Sequence, residues 1–572
     1  MSATISLKNL AMSFGAHHLF HDLTLTIGPH ATLGVVGRNG AGKSTLLRAI
    51  AGIIPPESGT ITFAPAQPSI GFLPQEAPRS EETLREFVRR RTGIGPAELE
   101  MERTAESFLD DDGASYSLAL DRWLGLGGGE LENALPTVCA RIGLDVELDR
   151  PLGSLSGGQA ARACLASILC SHFDVLLLDE PTNNLDADGL NLMSEFIKRQ
   201  DSPVLIASHD RALLDNVATE ILELDIVQQK VARFAGGWSD YVEAKALARS
   251  HEWEAYEKYQ EKKGAFEAEE TARKEWSNKA LKADKIRKEP SRALQYAYTQ
   301  RAEKQAGRGA RARAGAERLE VVEAPRKEWQ LRYSIDEAEP SAAAALTLNE
   351  AVVRRGNFVL GPINLAVDAG DRIALIGPNG SGKSTLLGAL LGWLPLDSGR
   401  QSMGHRVHLG AIDQERSLIS GGEPLIELVM RELSTAHSQL LGRDGSFHNV
   451  ADVGTNDRAA ARTLLAKFQL GAEHIGRSCD SLSMGERTRA AMAIMQARPT
   501  NLLVLDEPTN HLDVEAIEQL ERAIAEFHGT LILVTHDQQL LENVSVTKRW
   551  NLERAAPTGK DHLVHARIDF NA

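Results

Sequence analysis

The chain has 572 residues, 42% of them apolar and 25% charged, with a formal net charge of -15. At roughly 150 residues per domain, that length predicts three or four domains, and the composition excludes low-complexity and membrane-spanning classes. An acidic total also excludes a protein coated in basic residues, so any nucleic-acid contact has to come from a local patch.

Residues 1–14 carry no basic region followed by an apolar core, so no signal peptide is expected. Four cysteines (Cys139, Cys164, Cys170, Cys479) are scattered without a Cys-x-x-Cys pair. They are expected as small buried residues in a reducing compartment, which places the protein in the cytoplasm. The apolar run TLGVV leads into GRNGAGKST, Gly37 to Thr45, and then into LLRAI. Strand, glycine-rich loop and helix N-terminus are the context that a phosphate-binding loop needs. Backbone N–H groups around Gly37, Asn39, Gly40 and Gly42 are expected to surround the β-phosphate, with the helix dipole adding positive potential. Lys43 is placed to reach the β- and γ-phosphates, and Ser44, followed by Thr45, to ligate Mg²⁺. Further on, the apolar run from Val175 ends in Asp179 and Glu180. A buried strand would deliver both carboxylates beside the phosphate loop, Asp179 for Mg²⁺ and Glu180 as general base. His209 ends another apolar strand, VLIASHD.

All of this returns once, in the same order. GPNGSGKST runs from Gly377 to Thr385, with Asn379, Gly380, Gly382, Lys383 and Ser384 in matching places. Asp506 and Glu507 repeat the strand-end carboxylates, and His536 repeats the histidine. Lys43 to Lys383 is 340 residues and Gln75 to Gln414 is 339, whereas Glu180 to Glu507 and His209 to His536 are both 327. The first copy therefore carries 12 extra residues, an insertion expected within 79–150.

Between the copies, residues 241–340 are rich in Lys, Arg, Glu and Ala, strong helix formers. Pro290 followed by Ser291 breaks the stretch. Two long helices are predicted, 242–288 and 291–320, the first about 70 Å long. From Lys279 to Arg313 there are eleven basic and three acidic residues, a local +8. Such a patch suits RNA phosphate, and Tyr296 and Tyr298 beside it suit stacking on bases or ribose. The predicted layout is a domain at 1–240, a basic helical linker at 241–340 and a second domain at 341–572.

LSGGQ, Leu155 to Gln159, resembles the signature of ATP-binding cassette (ABC) ATPases. Gln75 and Gln414 resemble that superfamily's Q-loop, Asp186 and Asp513 its D-loop, and His209 and His536 its switch histidine. The resemblance implies an α/β fold: two P-loop ABC-type domains, each a RecA-like core with a β-subdomain and a helical subdomain, joined by a long α-helical hairpin. It adds Gln75 and Gln414 as ligands of Mg²⁺ and nucleotide. It implies composite ATP sites, in which Lys43, Glu180 and His209 face Ser483 and Gly485, and Lys383, Glu507 and His536 face Ser156, Gly157 and Gly158. Two departures stand out. The second signature reads LSMGE, with Met484 and Glu486 in place of Gly and Gln. Phe14 occupies the adenine-stacking position 29 residues before Lys43, whereas the equivalent offset in the second copy falls on Arg354, whose guanidinium plane also stacks on bases.

Two cassettes in one chain, a charged helical linker, and the forms DEPTNNLD and DEPTNHLD resemble the ABC-F family of ribosome-associated ATPases. That resemblance implies a monomer with intramolecularly paired cassettes, using ATP and Mg²⁺. Its linker would enter the ribosomal E site and contact rRNA and P-site tRNA, in a housekeeping or an antibiotic-protective role. The alternatives are the ATP-binding subunit of a drug exporter, paired with a separate membrane protein, and a DNA-maintenance ATPase. Neither uses a basic helical hairpin between cassettes.

Overall fold

Runs without charge or proline, such as Thr32–Val36 (TLGVV), bury every side chain when covered on both faces, which is the environment of a central parallel strand. The computed structural model describes residues 3–14, 17–75, 80–106, 113–183, 185–286, 343–356, 358–440, 458–554 and 564–571, with 322, 324, 335, 338–339 and 341 between them. The chain divides into two units, Met1–Trp238 with Leu331–Ala572, and Ser239–Gln330.

In the first half of the larger unit, the strands are β1 (Thr4–Phe14), β2 (His17–Ile27), β3 (Thr32–Val36), β4 (Ser58–Ala64), β5 (Ile70–Leu73), β6 (Val175–Asp179), β7 (Val204–Ala207), β8 (Glu220–Asp225) and β9 (Lys230–Ala235). A small antiparallel sheet has the order β2-β1-β4, and the main sheet the order β5-β6-β7-β3-β8-β9. The main sheet is parallel except for its last pair. Leu33 and Val35 of β3 share one core cluster with Leu46, Leu47 and Ile50 of the helix Lys43–Ile50. This packing fixes the phosphate loop between two rigid elements.

The second half contains β10 (Ala344–Arg355), β11 (Phe358–Asp368), β12 (Arg372–Ile376), β13 (Ser398–Met403), β14 (Leu409–Ile412), β15 (Leu502–Asp506), β16 (Thr530–Val534), β17 (Lys548–Arg554) and β18 (Val564–Asn571). Here β18 pairs with β11 on one side and β17 on the other, joining both sheets into one of nine strands. The equivalence of the halves is otherwise close: Ile373 and Leu375 of β12 pack on Leu386, Leu387 and Leu390.

The helical regions differ. Between β5 and β6 the first half has helices Leu84–Arg91, Ile94–Glu106, Ala114–Gly125 and Leu131–Arg141. The second half has Leu425–Leu440, Arg458–Lys467 and the short Ala472–Ile475 in the same interval. The cysteines are free, three of them buried. Among the described residues, no helix is long and apolar enough to cross a membrane.

Among its described residues the smaller unit is one helix, Trp238–Ile286, of 49 residues. Along it Lys258 pairs with Glu254 and Lys263 with Glu267 at i,i+4 spacing, and Trp253 meets Tyr256 edge-on at 6.1 Å. The predicted helix 291–320, the basic residues from Arg287 to Arg313, Tyr296 and Tyr298 lie outside the described residues.

Within the larger unit, the two halves meet across charged contacts. Arg211 and Glu521, 6% and 8% exposed, form a two-pronged ion pair, and Glu521 also accepts from Asn543 Nδ2 at 3.1 Å. The positions equivalent by the 327-residue offset are Gln538 and Ser194, a neutral pair. Arg211→Ala leaves a buried carboxylate without its cation, and should weaken association of the halves by about 3–5 kcal/mol. Gln538→Ala should cost about 1 kcal/mol or less. Donor–acceptor fluorescence between labels on the two cassettes, followed through a urea titration, checks both; equal midpoints for the two variants would contradict the assignment.

Candidate nucleotide sites

Each phosphate loop is set by a glycine that must be left-handed. Gly42 has φ +96°, and a Cβ there would lie 3.2 Å from Leu19; Gly382 has φ +101°, and its Cβ would lie 2.4 Å from the Phe358 ring. The lysines that follow curl over their own loops. Lys43 Nζ donates to the carbonyls of Gly37 (2.8 Å) and Arg38 (3.3 Å), and lies 3.0 Å from His209 Nε2. Lys383 Nζ donates to Gly377 (2.6 Å) and Pro378 (3.2 Å), and lies 3.3 Å from His536 Nε2. Ser44 Oγ donates to Asp179 Oδ1, and Ser384 Oγ to Asp506 Oδ2, both at 3.0 Å.

Strands β6 and β15 end on Asp179 and Asp506, one residue earlier than the sequence predicts. Glu180 and Glu507 follow with left-handed backbones, φ 50° and 47°, unusual for a glutamate and typical of strained functional turns. Their amides are held by Ala207 and Val534 carbonyls, so the strain is imposed by the neighbouring strand. The carboxylates sit 3.6 Å from His209 and His536. Burial pushes Glu180 up to about 7, against the pull of Lys43, and pushes Glu507 up in the same way. Burial, reinforced by the lysine charges, holds His209 well below its ordinary value and His536 at about 4. Both imidazoles are therefore neutral at pH 7.

Among the described residues, Asp179 Oδ2, Glu180 Oε1 and Ser381 Oγ are buried without a hydrogen-bond partner. No group of three or more His, Cys, Asp or Glu among them could hold a metal alone. A hydroxyl and one carboxylate, completed by phosphate oxygens, is nevertheless the donor set Mg²⁺ prefers. The residues fit that ion in both halves.

The loops are crossed. Asp186 caps its own helix through Gly189 N (3.1 Å) and accepts from Asn379 N of the other cassette (2.9 Å). Asp513 caps through Ala516 N (3.1 Å) and accepts from Asn39 N (3.3 Å). Asn39 Nδ2 also donates to the His511 carbonyl at 3.1 Å. A Cβ on Gly485 would lie 3.3 Å from that same Asn39 amide, so the second signature abuts the first phosphate loop. A cavity of about 420 Å³ gathers Asn39, Gly40, Gly42, Lys43, Ser44, Thr45, Gln75, Asp179, Glu180 and His209, together with His511 from the other half. A second, of about 250 Å³, is lined from both halves and includes Asn379, Gln414, Glu507 and His536.

Both signature serines act as helix N-caps. Ser156 starts Gly157–Leu169 and Ser483 starts Met484–Gln496, each in a capping box with Gln159 or Glu486. Burial raises Glu486, but the Ser483 amide, Arg477 and His474 together draw it below the ordinary value. Its carboxylate accepts from Ser483 N at 2.8 Å and lies 3.2 Å from His474 and 3.5 Å from Arg477. The extra charge of LSMGE is thus balanced locally.

One expectation shifts. The first hairpin pairs Phe14 with His17, and the second pairs Arg355 with Phe358, so Arg355 rather than Arg354 stands in Phe14's register. Arg354 is exposed at the end of β10, its amide bonded to Asp397 (2.6 Å). The aromatic ring beside the second phosphate loop is Phe358, which the sequence offset missed because it follows the turn instead of preceding it. His511 was missed too: its signal was the one-letter change from NNLD to NHLD.

A family model described as "ABC transporter" matches residues 20–183 and 360–510. The chain is 30% identical to ABC transporter F family member 2 of Arabidopsis thaliana, with 95% of this chain and 76% of the relative covered. It is 31% identical to the tylosin resistance ATP-binding protein TlrC of Streptomyces fradiae, covering 94% and 95%. It is also 31% identical to the energy-dependent translational throttle protein EttA of Haemophilus influenzae, covering 97% and 90%. Matching cassettes in both halves, and relatives of this kind aligned along nearly the whole chain, lead to one assignment: the chain belongs to the ABC-F family of tandem-cassette ATPases, and the reaction it catalyses is ATP hydrolysis.

Proposed function

We propose that the chain binds two ATP molecules at composite sites between its cassettes, and uses their hydrolysis in the cytoplasm to act on the ribosome, regulating translation or protecting it from an antibiotic. The crossed bonds from Asp186 to Asn379 and from Asp513 to Asn39 carry this reading, because they join each cassette to the other's phosphate loop. The names of EttA and TlrC support the translational and the resistance arms respectively.

Lys43 and Lys383 bind the β- and γ-phosphates, and the signature serine and glycine of the opposite half cap the γ-phosphate. Ser44 with Asp179, and Ser384 with Asp506, hold Mg²⁺, with Gln75 and Gln414 beside them; the ion supplies charge neutralisation across the phosphates. Glu180 and Glu507 take the proton of the attacking water. Neutral His209 and His536 orient that water or the γ-phosphate without adding charge. The basic linker segment tracks RNA phosphate, reaching rRNA and tRNA at the E and P sites.

Three outcomes test the reading. Glu180→Gln with Glu507→Gln should retain ATP and lose about 10²–10⁴-fold in hydrolysis, measured as phosphate release. An unchanged rate would remove both glutamates from the base role. A carboxylate is a base only when ionised, and Glu180 titrates at about 7. In the Glu507→Gln background, where only the Glu180 site reacts, single-turnover cleavage should therefore rise about tenfold per pH unit below neutrality and level off above it. With both histidines already neutral, they add no opposing limb there. A flat profile between pH 6 and 8 would contradict burial as the control of the base. Finally, the hydrolysis-deficient protein should pellet with purified ribosomes, with an affinity that falls steeply with salt. Changing Lys285, Arg287, Lys288 and Arg292 to Glu should abolish pelleting and leave nucleotide affinity intact. Equal pelleting by that variant would reduce the linker to a spacer, and recovery with membranes instead would favour the exporter subunit.

A further inference from the structure

Among the largest fully buried side chains of the described residues is a charged one. Arg416, 2% exposed, lies two residues beyond Gln414 on a left-handed backbone, φ 56°. Its guanidinium is bonded on every side. Nη1 donates to the carbonyls of Asp413 and, at 3.2 Å, Asp506; Nη2 donates to the Glu507 carbonyl at 2.9 Å; Nε donates to Thr488 Oγ1 at 2.9 Å. Thr488 Oγ1 passes its own proton to the Met484 carbonyl, also at 2.9 Å. An unbroken run of hydrogen bonds thus joins the strained carboxylate turn of β15 to the first turn of the signature helix Met484–Gln496.

An apolar side chain of similar volume would fill this space without the desolvation of a buried cation. What the guanidinium adds is fixed geometry, since its planar fork orients four acceptors at once. The other half of the chain supplies a comparison. The 339-residue offset of the Q-loops sets Ala77 opposite Arg416, and the 327-residue offset of the signatures sets Ala161 opposite Thr488. Alanine has no side-chain donor or acceptor. By these offsets the second cassette has side-chain donors and acceptors at both ends of the link, and the first has alanine at both positions, Ala77 lying outside the described residues.

We propose that Arg416 is a positioning residue that, with Thr488, couples the two ATP sites through the second cassette. It ties the Asp506–Glu507 turn, which belongs to the site of Lys383, to the signature that serves the site of Lys43. This rests on the composite-site reading above. Coupling of binding is reciprocal, but its effect on cleavage rates is not bound to be symmetric. A signature helix held in register should matter most to the site it caps.

Thr488→Val is the informative change, because it cuts the link to the signature and leaves Arg416 its three carbonyls. Single-turnover ATP cleavage is measured on the full chain in two backgrounds: Glu507→Gln, where the Lys43 site reacts, and Glu180→Gln, where the Lys383 site reacts. Cleavage at the Lys43 site should fall about fivefold or more in kcat with KM little changed, and that at the Lys383 site by less than twofold. Arg416→Lys, which keeps the charge and loses the fork, should reproduce the Lys43-site defect, and adding Thr488→Val to it should cost little more. Equal losses at both sites, or additive effects of the two changes, would overturn the proposal and leave Arg416 a structural residue. Ser483→Ala keeps the two readings apart. If it slows the Lys383 site instead of the Lys43 site, the composite pairing itself is wrong, whatever Thr488→Val does.

Discussion

Two aspartate side chains hold the arrangement together. Each of Asp186 and Asp513 spends one oxygen on capping its own helix and the other on a backbone amide of the opposite phosphate loop. A helix N-cap is fixed in position by the helix that follows it, so the carboxylate cannot drift without unwinding that first turn. The opposite loop is as rigid, anchored between a buried strand and the helix it opens. Each phosphate loop is consequently in register with the other half's helical region.

Repetition makes the chain its own control. The central strands, loops and caps correspond by simple offsets, and a few differences stand out against them. His511 reaches the first cavity where the matching residue, Asn184, lies outside the described residues. Glu486 replaces Gln159, and Arg477, whose offset equivalent is also an arginine, Arg150, lies 3.5 Å from it. Arg416 and Thr488 replace two alanines. In the last case a charged group changes together with its hydrogen-bond partner. Low dielectric explains the pairing of changes, because an uncompensated charge in such a place is far more costly than its absence.

Much of this was legible in the sequence. The glycine-rich loops, the strand-end carboxylates, and His209 and His536 lie together as spacing predicts, because each depends on local backbone and strand period. The long linker helix was also readable, starting at Trp238 rather than 242 because helix formers leave its N-terminus poorly marked. What escaped depended on contacts far apart in sequence. An offset cannot reveal that a hairpin turn shifts by one residue, so Arg354 was aligned with Phe14 and Phe358 went unnoticed. Arg416 looks like a surface residue of a polar loop until β15 and the signature helix close over it. Strand β18 matches β9 at the sheet edge, but its further pairing with β11, which merges two sheets, could not be read from the repeat.

The ion pair between halves bears on assembly as well as on strength. Arg211 and Glu521 are buried at one side of the boundary, and their equivalents are Gln538 and Ser194. Pairing two first halves from different chains would bury Arg211 opposite Ser194. Pairing two second halves would bury Glu521 opposite Gln538. The second mismatch leaves a desolvated charge without a counter-charge, a cost of several kcal/mol that the native pairing avoids, and the first leaves Arg211 only Asp210, the equivalent of Asp537 at 4.0 Å. Symmetric cassettes would have no such preference, because every combination of halves would present the same surface. The loss of symmetry after duplication therefore does two things with one substitution pair: it strengthens the intramolecular boundary, and it disfavours the like-with-like pairings that a repeated sequence would otherwise permit.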